Sequence, residues 1–245
     1  MHPVLFKLGS WTFYSYGFLT VAAFFTAFSL ARKKRSGIGV SREALSDLFL
    51  VLFVSGVLGA RLFYVLQHLE DFKGRWWGSL MIHEGGLVWY GGFLTAAAAG
   101  FLTAYVRRWP LLKLADFLSP FLALAQSIGR LGCFLNGCCY GKPTNVFWAM
   151  RFPGDVPRHP APLYEAAACL VIFSVLLKFV ERARHRPGTA FVLYLLFYTA
   201  ARFVIEFFRG DQVLLAWLSP PQWTSLVLFL GGLFLYGLLR KKSVR

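Results

Sequence analysis

An all-α integral membrane protein of about seven transmembrane helices is the fold class the sequence predicts, on three observations. First, 57% of the 245 residues are hydrophobic and 15% are charged, with a mean hydropathy of +0.56. An ordinary soluble domain carries about 25% charge. A chain this poor in ionic groups cannot cover the surface of a water-soluble fold, and the composition equally excludes disordered, collagen-like and coiled-coil classes. Second, uncharged stretches recur at spanning length; none of the residues between Lys7 and Arg32 is charged, enough for a helix to cross roughly 30 Å of hydrocarbon. Third, the basic residues alternate between the two sides of those stretches, the pattern of the positive-inside rule.

The first span falls near 11–31. Only Lys7 is charged in the segment before it, and the uncharged run to Arg32 is of spanning length, so it reads as a retained helix rather than a signal peptide. The second lies near 46–68. The third, near 86–106, opens on HEGGLVWYGGF (His83 to Phe93), whose two Gly-Gly pairs suit either an opened helix start or close backbone approach. The fourth, near 114–136, closes on GRLGCFLNGCCYGKPTN (Gly129 to Asn145); this is no Walker A loop, because Pro143 follows Lys142. RHPAPLYE (Arg158 to Glu165) leads into the fifth, near 163–180, with prolines suited to a helix start. The sixth and seventh lie near 189–208 and 222–239. Together they leave no room for a soluble module, so residues 1–245 read as a single polytopic membrane domain without internal repeat or low-complexity linker.

Sixteen basic residues fall on one face: Arg32, Lys33, Lys34, Arg35 and Arg42; Arg107, Arg108 and Lys113; Lys178, Arg182, Arg184 and Arg186; Arg240, Lys241, Lys242 and Arg245. The other face holds seven, namely Lys7, Lys73, Arg75, Lys142, Arg151, Arg158 and Arg209. The expected orientation is therefore N-terminus periplasmic and C-terminus cytoplasmic. A net charge of +15 would otherwise suggest nucleic acid, but these charges sit in short loops beside the membrane, where they set orientation.

Three arginines remain inside spans: Arg61, Arg130 and Arg202. An arginine at the centre of a membrane helix costs about 2.5–3.5 kcal/mol on insertion scales. Snorkelling or a structural ion pair would account for any one of them. Arg202 and Glu206, four apart on one helical face, suit such a pair. All three together suggest a cavity for an anion, most simply a lipid phosphate, which guanidinium binds bidentately. Cys133, Cys138 and Cys139 could be metal ligands or a redox pair, but C-x4-C-C matches no common zinc pattern. They read as small buried hydrophobes, with a disulfide open to them if the segment faces an oxidising compartment. Cys169, mid-span, reads as packing.

These motifs, in this order, resemble the bacterial prolipoprotein diacylglyceryl transferases over most of the chain. GRLGCFLNGCCYG is similar to the family signature GR(L/I)GNFxNxExxG, SYGF (Ser15 to Phe18) to its early Tyr-Gly, and GARLFYV (Gly59 to Val65) to its GGRLxYV. HEGGLVWYGG resembles its GGMSFHGG, RHPAPLYE its RHPSQLYE, and YTAARFVIEFFRGD (Tyr198 to Asp211) its YGxxRFxxEFFRxPD. The resemblance implies a multi-pass protein of the bacterial cytoplasmic (inner) membrane. Such enzymes move the diacylglyceryl group of phosphatidylglycerol to the lipobox cysteine thiol of a prolipoprotein signal peptide, the first step of lipoprotein maturation, releasing glycerol phosphate. No metal or organic cofactor is implied, and nucleic acid is not a partner. By the same resemblance Arg130 holds the lipid phosphate with Arg61. Arg202 and Glu206 shape the catalytic pocket, Tyr198 and Tyr16 stand beside them, and Asn136 and Gly141 form its floor.

Two departures from the family pattern concern activation of the thiol. Tyr90 stands where the family has the histidine of its HGG, and a phenol of pKa near 10 is a poorer base at neutral pH. Tyr90 is then expected to position the glyceryl oxygen, with His83 or the arginine field helping to form the thiolate. Cys133 replaces the asparagine after GRLG, and the acidic residue of the signature gives way to Cys138 or Cys139. The alternatives are a divergent paralogue with another lipid or acceptor, and a non-catalytic phospholipid-binding membrane protein.

Overall fold

The computed structural model describes residues 1–9, 11–34, 38–74, 76–81, 85–154, 156–182, 185–210 and 215–241. His83 and Asp211, with Arg35, Arg75, Arg184, Lys242 and Arg245 of the orientation-setting residues, lie outside them. Seven α-helices dominate the described residues: α1 Ser15–Lys33, α2 Arg42–Gln67, α3 Trp89–Val106, α4 Leu111–Asn136, α5 Ala161–Glu181, α6 Thr189–Glu206 and α7 Pro220–Lys241. Five of them (α2, α4, α5, α6 and α7) are long and apolar enough to cross a membrane. Their outward faces are apolar: Leu62, Leu122, Val171, Val227 and Phe234 are all exposed. Water would penalise that arrangement, whereas hydrocarbon accepts it. The protein is a helical membrane protein.

Two short antiparallel pairs accompany the helices. Strands β1 (Val4–Leu8) and β2 (Trp11–Tyr14) form a hairpin, and β3 (Met150–Arg151) pairs with β4 (Pro157–Arg158). The expected first span begins at 11, yet α1 starts at Ser15, because Thr12, Phe13 and Tyr14 favour a pleated strand and find a partner in Leu8 to Val4.

The chain divides into two compact units. In one, residues 34–111, α2 and α3 pack closely. A Cβ at Gly59 would stand 1.8 Å from Thr95 Oγ1, so only glycine allows the approach that lets the Thr95 hydroxyl reach the Ser55 carbonyl at 2.9 Å. Small residues and an interhelical hydrogen bond replace the hydrophobic driving force that lipid cannot supply. The Gly91–Gly92 pair serves the same contact, against Phe63 and the Gly56 carbonyl. Gly85 and Gly86 take left-handed backbone, φ +87° and +74°.

In the other unit, residues 1–33 and 112–245, Ala123 of α4, Ile172 and Leu176 of α5 and Tyr194 of α6 form a buried core. The buried Asp116 of α4 caps α6 from outside, accepting from the Gly188 N–H at 2.7 Å and the Phe191 N–H at 2.9 Å. Two orphan donors of the helix start are thereby satisfied, which fixes the helix carrying Tyr198, Arg202 and Glu206.

Candidate functional site

The site is built where α4, α5 and α6 of this second unit come together. Glu165, in the second turn of α5, is its hub. Its Oε1 accepts from Arg130 Nη2 of α4 at 2.8 Å and from the Tyr198 hydroxyl of α6 at 3.1 Å. Its Oε2 faces Arg202 Nη1 of α6 at 3.8 Å. Arg202 pairs tightly one turn on, its Nη1 2.7 Å from Glu206 Oε2. Glu206 also faces Arg209 Nε at 3.7 Å and accepts from the Ser219 hydroxyl ahead of α7 at 3.0 Å.

Three guanidiniums thus meet two carboxylates, which leaves one positive charge among the described residues of the cluster. Both glutamate side chains are 4% exposed, and burial of that depth demands the partners that surround them. The arginines differ: Arg130 is 24% exposed, Arg202 14% and Arg209 11%. Arg130 is therefore the guanidinium best placed to meet a ligand, while Arg202 and Arg209 are committed to Glu206. A cluster in which guanidiniums outnumber carboxylates among the described residues, set in an apolar bundle, suits an anion.

Gly141 borders this cluster. It pairs with Arg209 in an isolated antiparallel bridge, and its N–H donates to the His159 carbonyl at 2.8 Å. A Cβ there would lie 2.5 Å from the Phe208 carbonyl oxygen and 2.7 Å from that of His159. Backbone cannot yield as a side chain can. Gly141→Ala is expected to lower the thermal midpoint by the equivalent of about 1–3 kcal/mol, and to cut activity with it, read by thermal unfolding in detergent.

On the same side, Trp148 Nε1 donates to the Tyr164 hydroxyl at 2.6 Å, which in turn reaches His159 Nδ1 at 3.0 Å. Tyr16 of α1 packs on α4 at Gly132, within electrostatic reach of Arg130 and Cys133. Asn136 ends α4 and hydrogen-bonds Cys138. Cys133, Cys138 and Cys139 converge beside Arg130, their sulfurs within 4.8 Å of one another. Hydrogen bonds from the Cys133 and Cys138 thiols, then the charges of Arg209 and Arg130, hold the Cys139 thiol below the ordinary thiol range.

A family model described as prolipoprotein diacylglyceryl transferase matches residues 3–238. A phosphatidylglycerol–prolipoprotein diacylglyceryl transferase of Idiomarina loihiensis is 37% identical over 243 residues, covering 95% of this chain and 91% of that protein. Its counterpart in Geobacter sulfurreducens is 33% identical over 251 residues, covering 99% and 96%. The chain belongs to the prolipoprotein diacylglyceryl transferase family.

For this member of the transferase family, the structure brings together Arg130, Tyr198, Arg202 and Glu206, with Gly141, Tyr16 and Asn136 around them. Sequence reading missed Glu165 and Arg209. Glu165 closes the RHPAPLYE motif and looked like part of a helix start; Arg209 lies just past the end of α6 and looked like a loop cation. The signal available was spacing, since Arg209 is three residues from Glu206 and seven from Arg202.

Arg61 and Tyr90 belong to the other unit. The buried Arg61 spends its guanidinium on backbone: Nε donates to the Ser79 carbonyl, Nη2 to Gly78, and Nη1 to Gly85 and Gly86, at 2.6–3.2 Å. Its cationic carbon also lies 5.4 Å from the centre of the Tyr64 ring. The left-handed backbone of Gly85 and Gly86 turns their own carbonyls toward it. Tyr90, in the first turn of α3, is 71% exposed and lies edge-on to Trp89 at 5.3 Å.

Proposed function

We infer that this chain transfers the diacylglyceryl group of phosphatidylglycerol to the lipobox cysteine thiol of prolipoprotein signal peptides. The observation that carries this reading is the buried cluster of Arg130, Arg202, Arg209, Glu165 and Glu206, in which Arg130 is the most exposed guanidinium. In the reaction the thiolate sulfur attacks the glyceryl carbon that bears the phosphate ester. The C–S bond forms, the C–O bond breaks, and its electron pair departs with glycerol phosphate. A phosphodiester with one negative charge becomes a monoester with a second, and the proton of the thiol goes to base or solvent. The demand is for positive charge that is already in place when the second negative charge develops. Arg130 supplies it at the accessible edge, and Glu165 holds Arg130 while Arg202, paired with Glu206, and the Tyr198 hydroxyl hold Glu165.

In this reading Arg61 shapes the loop at the mouth of α3, since its donors are taken by backbone carbonyls, and Tyr16, Asn136 and Gly141 line the pocket. Tyr90 is read as positioning the glyceryl oxygen. Tyr90→Phe is then expected to lower activity and Tyr90→His to retain it, read as lipid attachment to a reporter lipoprotein; retention in both places the proton acceptor elsewhere. The chain is read as one polytopic domain of the bacterial inner membrane, with all seven helices spanning, the N-terminus periplasmic and the C-terminus cytoplasmic. Expression in a strain lacking its own transferase tests the function: lipid attachment should return, and a well-inserted protein that fails to restore it contradicts the reading.

A further inference from the structure

The end of α4 is built to bring thiols together. The Cys138 N–H donates to the Cys133 carbonyl and the Gly137 N–H to that of Phe134, each at 3.1 Å, with Gly137 at φ +73°. That pair of bonds is the Schellman ending, which sets the second residue past the helix against the third from its end. Here those two residues are Cys138 and Cys133. Cys139 then takes left-handed backbone itself, φ +59°, a conformation costing a residue with a Cβ about 1–2 kcal/mol. Successive side chains in extended backbone point to opposite sides; the left-handed turn instead brings Cys139 to the same point as Cys138. The result is three sulfurs mutually within 4.8 Å, with Cys133 buried and all three thiols free of disulfides.

We propose that Cys133, Cys138 and Cys139 form a three-thiolate site for a thiophilic closed-shell metal ion, Cu(I) or Zn(II). Sulfurs around one ion at a metal–sulfur distance of about 2.3 Å stand about 4 Å apart, which the cluster meets with little movement. Thiolate ligands select these ions over hard cations. Binding displaces to solvent whatever thiol protons remain and places three negative charges at the metal. The guanidiniums of Arg130 and Arg209, which act electrostatically on Cys139, offset the excess that a singly or doubly charged ion leaves. A pair of cysteines would suffice for a disulfide; the third, turned inward by a strained residue, is what a metal requires. Bound metal would tie the loop carrying Gly141 to α4, and so bears on the placement of Arg130.

The test uses the intact protein in detergent, purified under reductant and metal-free, then titrated separately with Cu(I) and Zn(II) against competing chelators. One tightly held ion per chain is expected. Cu(I) preferred over Zn(II) indicates a three-coordinate site, and the reverse indicates a fourth ligand from water; either supports the assignment. Cys133→Ser, Cys138→Ser and Cys139→Ser should each weaken binding by more than about 100-fold, beyond the 10–100-fold typical of losing an outer-shell partner. Cys169→Ser should leave it unchanged. A second readout needs no variant: metal should protect Cys133, Cys138 and Cys139, and not Cys169, from alkylation followed by mass spectrometry. Absence of binding, equal alkylation with and without metal, or a disulfide between two of the three in protein purified without reductant overturns the proposal. None of these readouts depends on transferase activity.

Discussion

Replacing Arg130 with Gln lowers the transfer rate roughly 100- to 1000-fold, equivalent to about 2.7–4 kcal/mol, the usual cost of deleting one donor aimed at a developing oxyanion. The fold should lose some stability, because a buried carboxylate loses its closest partner. Glu165 keeps the Tyr198 hydroxyl at 3.1 Å and Arg202 at 3.8 Å, and glutamine can still donate toward it. What disappears is the most exposed guanidinium of the cluster, the one placed to meet the phosphate. Arg130→Lys restores charge without the planar fork and should recover only part of the rate. Rates measured with phosphatidylglycerol and a lipobox peptide, beside a thermal midpoint for each variant, check both halves of the expectation. A near-normal rate in the glutamine variant removes Arg130 from the chemistry.

Glu165→Gln has a different signature: it should lose stability and activity together. The glutamine amide can still accept from Tyr198, so the change isolates the negative charge. Arg130 would lose its carboxylate, and Arg202 would be left with Glu206 alone, in a cluster whose side chains are at most 24% exposed. Breaking a buried pair by removing one partner costs about 3–5 kcal/mol, because an uncompensated charge stays behind. The thermal midpoint should fall markedly and be partly regained with Glu165→Asp. Activity lost at an unchanged midpoint would mean that Glu165 acts on substrate rather than by holding Arg130.

The fold was legible wherever one-dimensional physics decides it. Apolar run length placed each of the seven helices close to its expected segment, as at α4, expected near 114–136 and found at Leu111–Asn136. It failed at residues 11–14, where pairing with β1 outweighs the apolar run. The site was legible where its members share a helix, as Arg202 and Glu206 do. Long-range partners left no local trace. Glu165 joins Arg130 across 35 positions of sequence. Arg61 is explained by carbonyls of a loop 17–25 residues away, which an isolated intramembrane arginine cannot announce. The cysteines carry the same lesson. Spacing alone read them as packing, and only the glycine-ended helix shows why that spacing converges.

The reaction proposed for this cluster breaks the phosphoester C–O bond of phosphatidylglycerol and hands the glyceryl carbon to sulfur. The most direct measurement incubates the purified protein with phosphatidylglycerol vesicles and a lipobox-cysteine peptide, and follows both products by mass spectrometry. The expected result is a diacylglyceryl thioether on the peptide with glycerol phosphate released in equal amount, both abolished together by Arg130→Gln. Phosphatidylglycerol bound by the wild-type protein with neither product formed would contradict it.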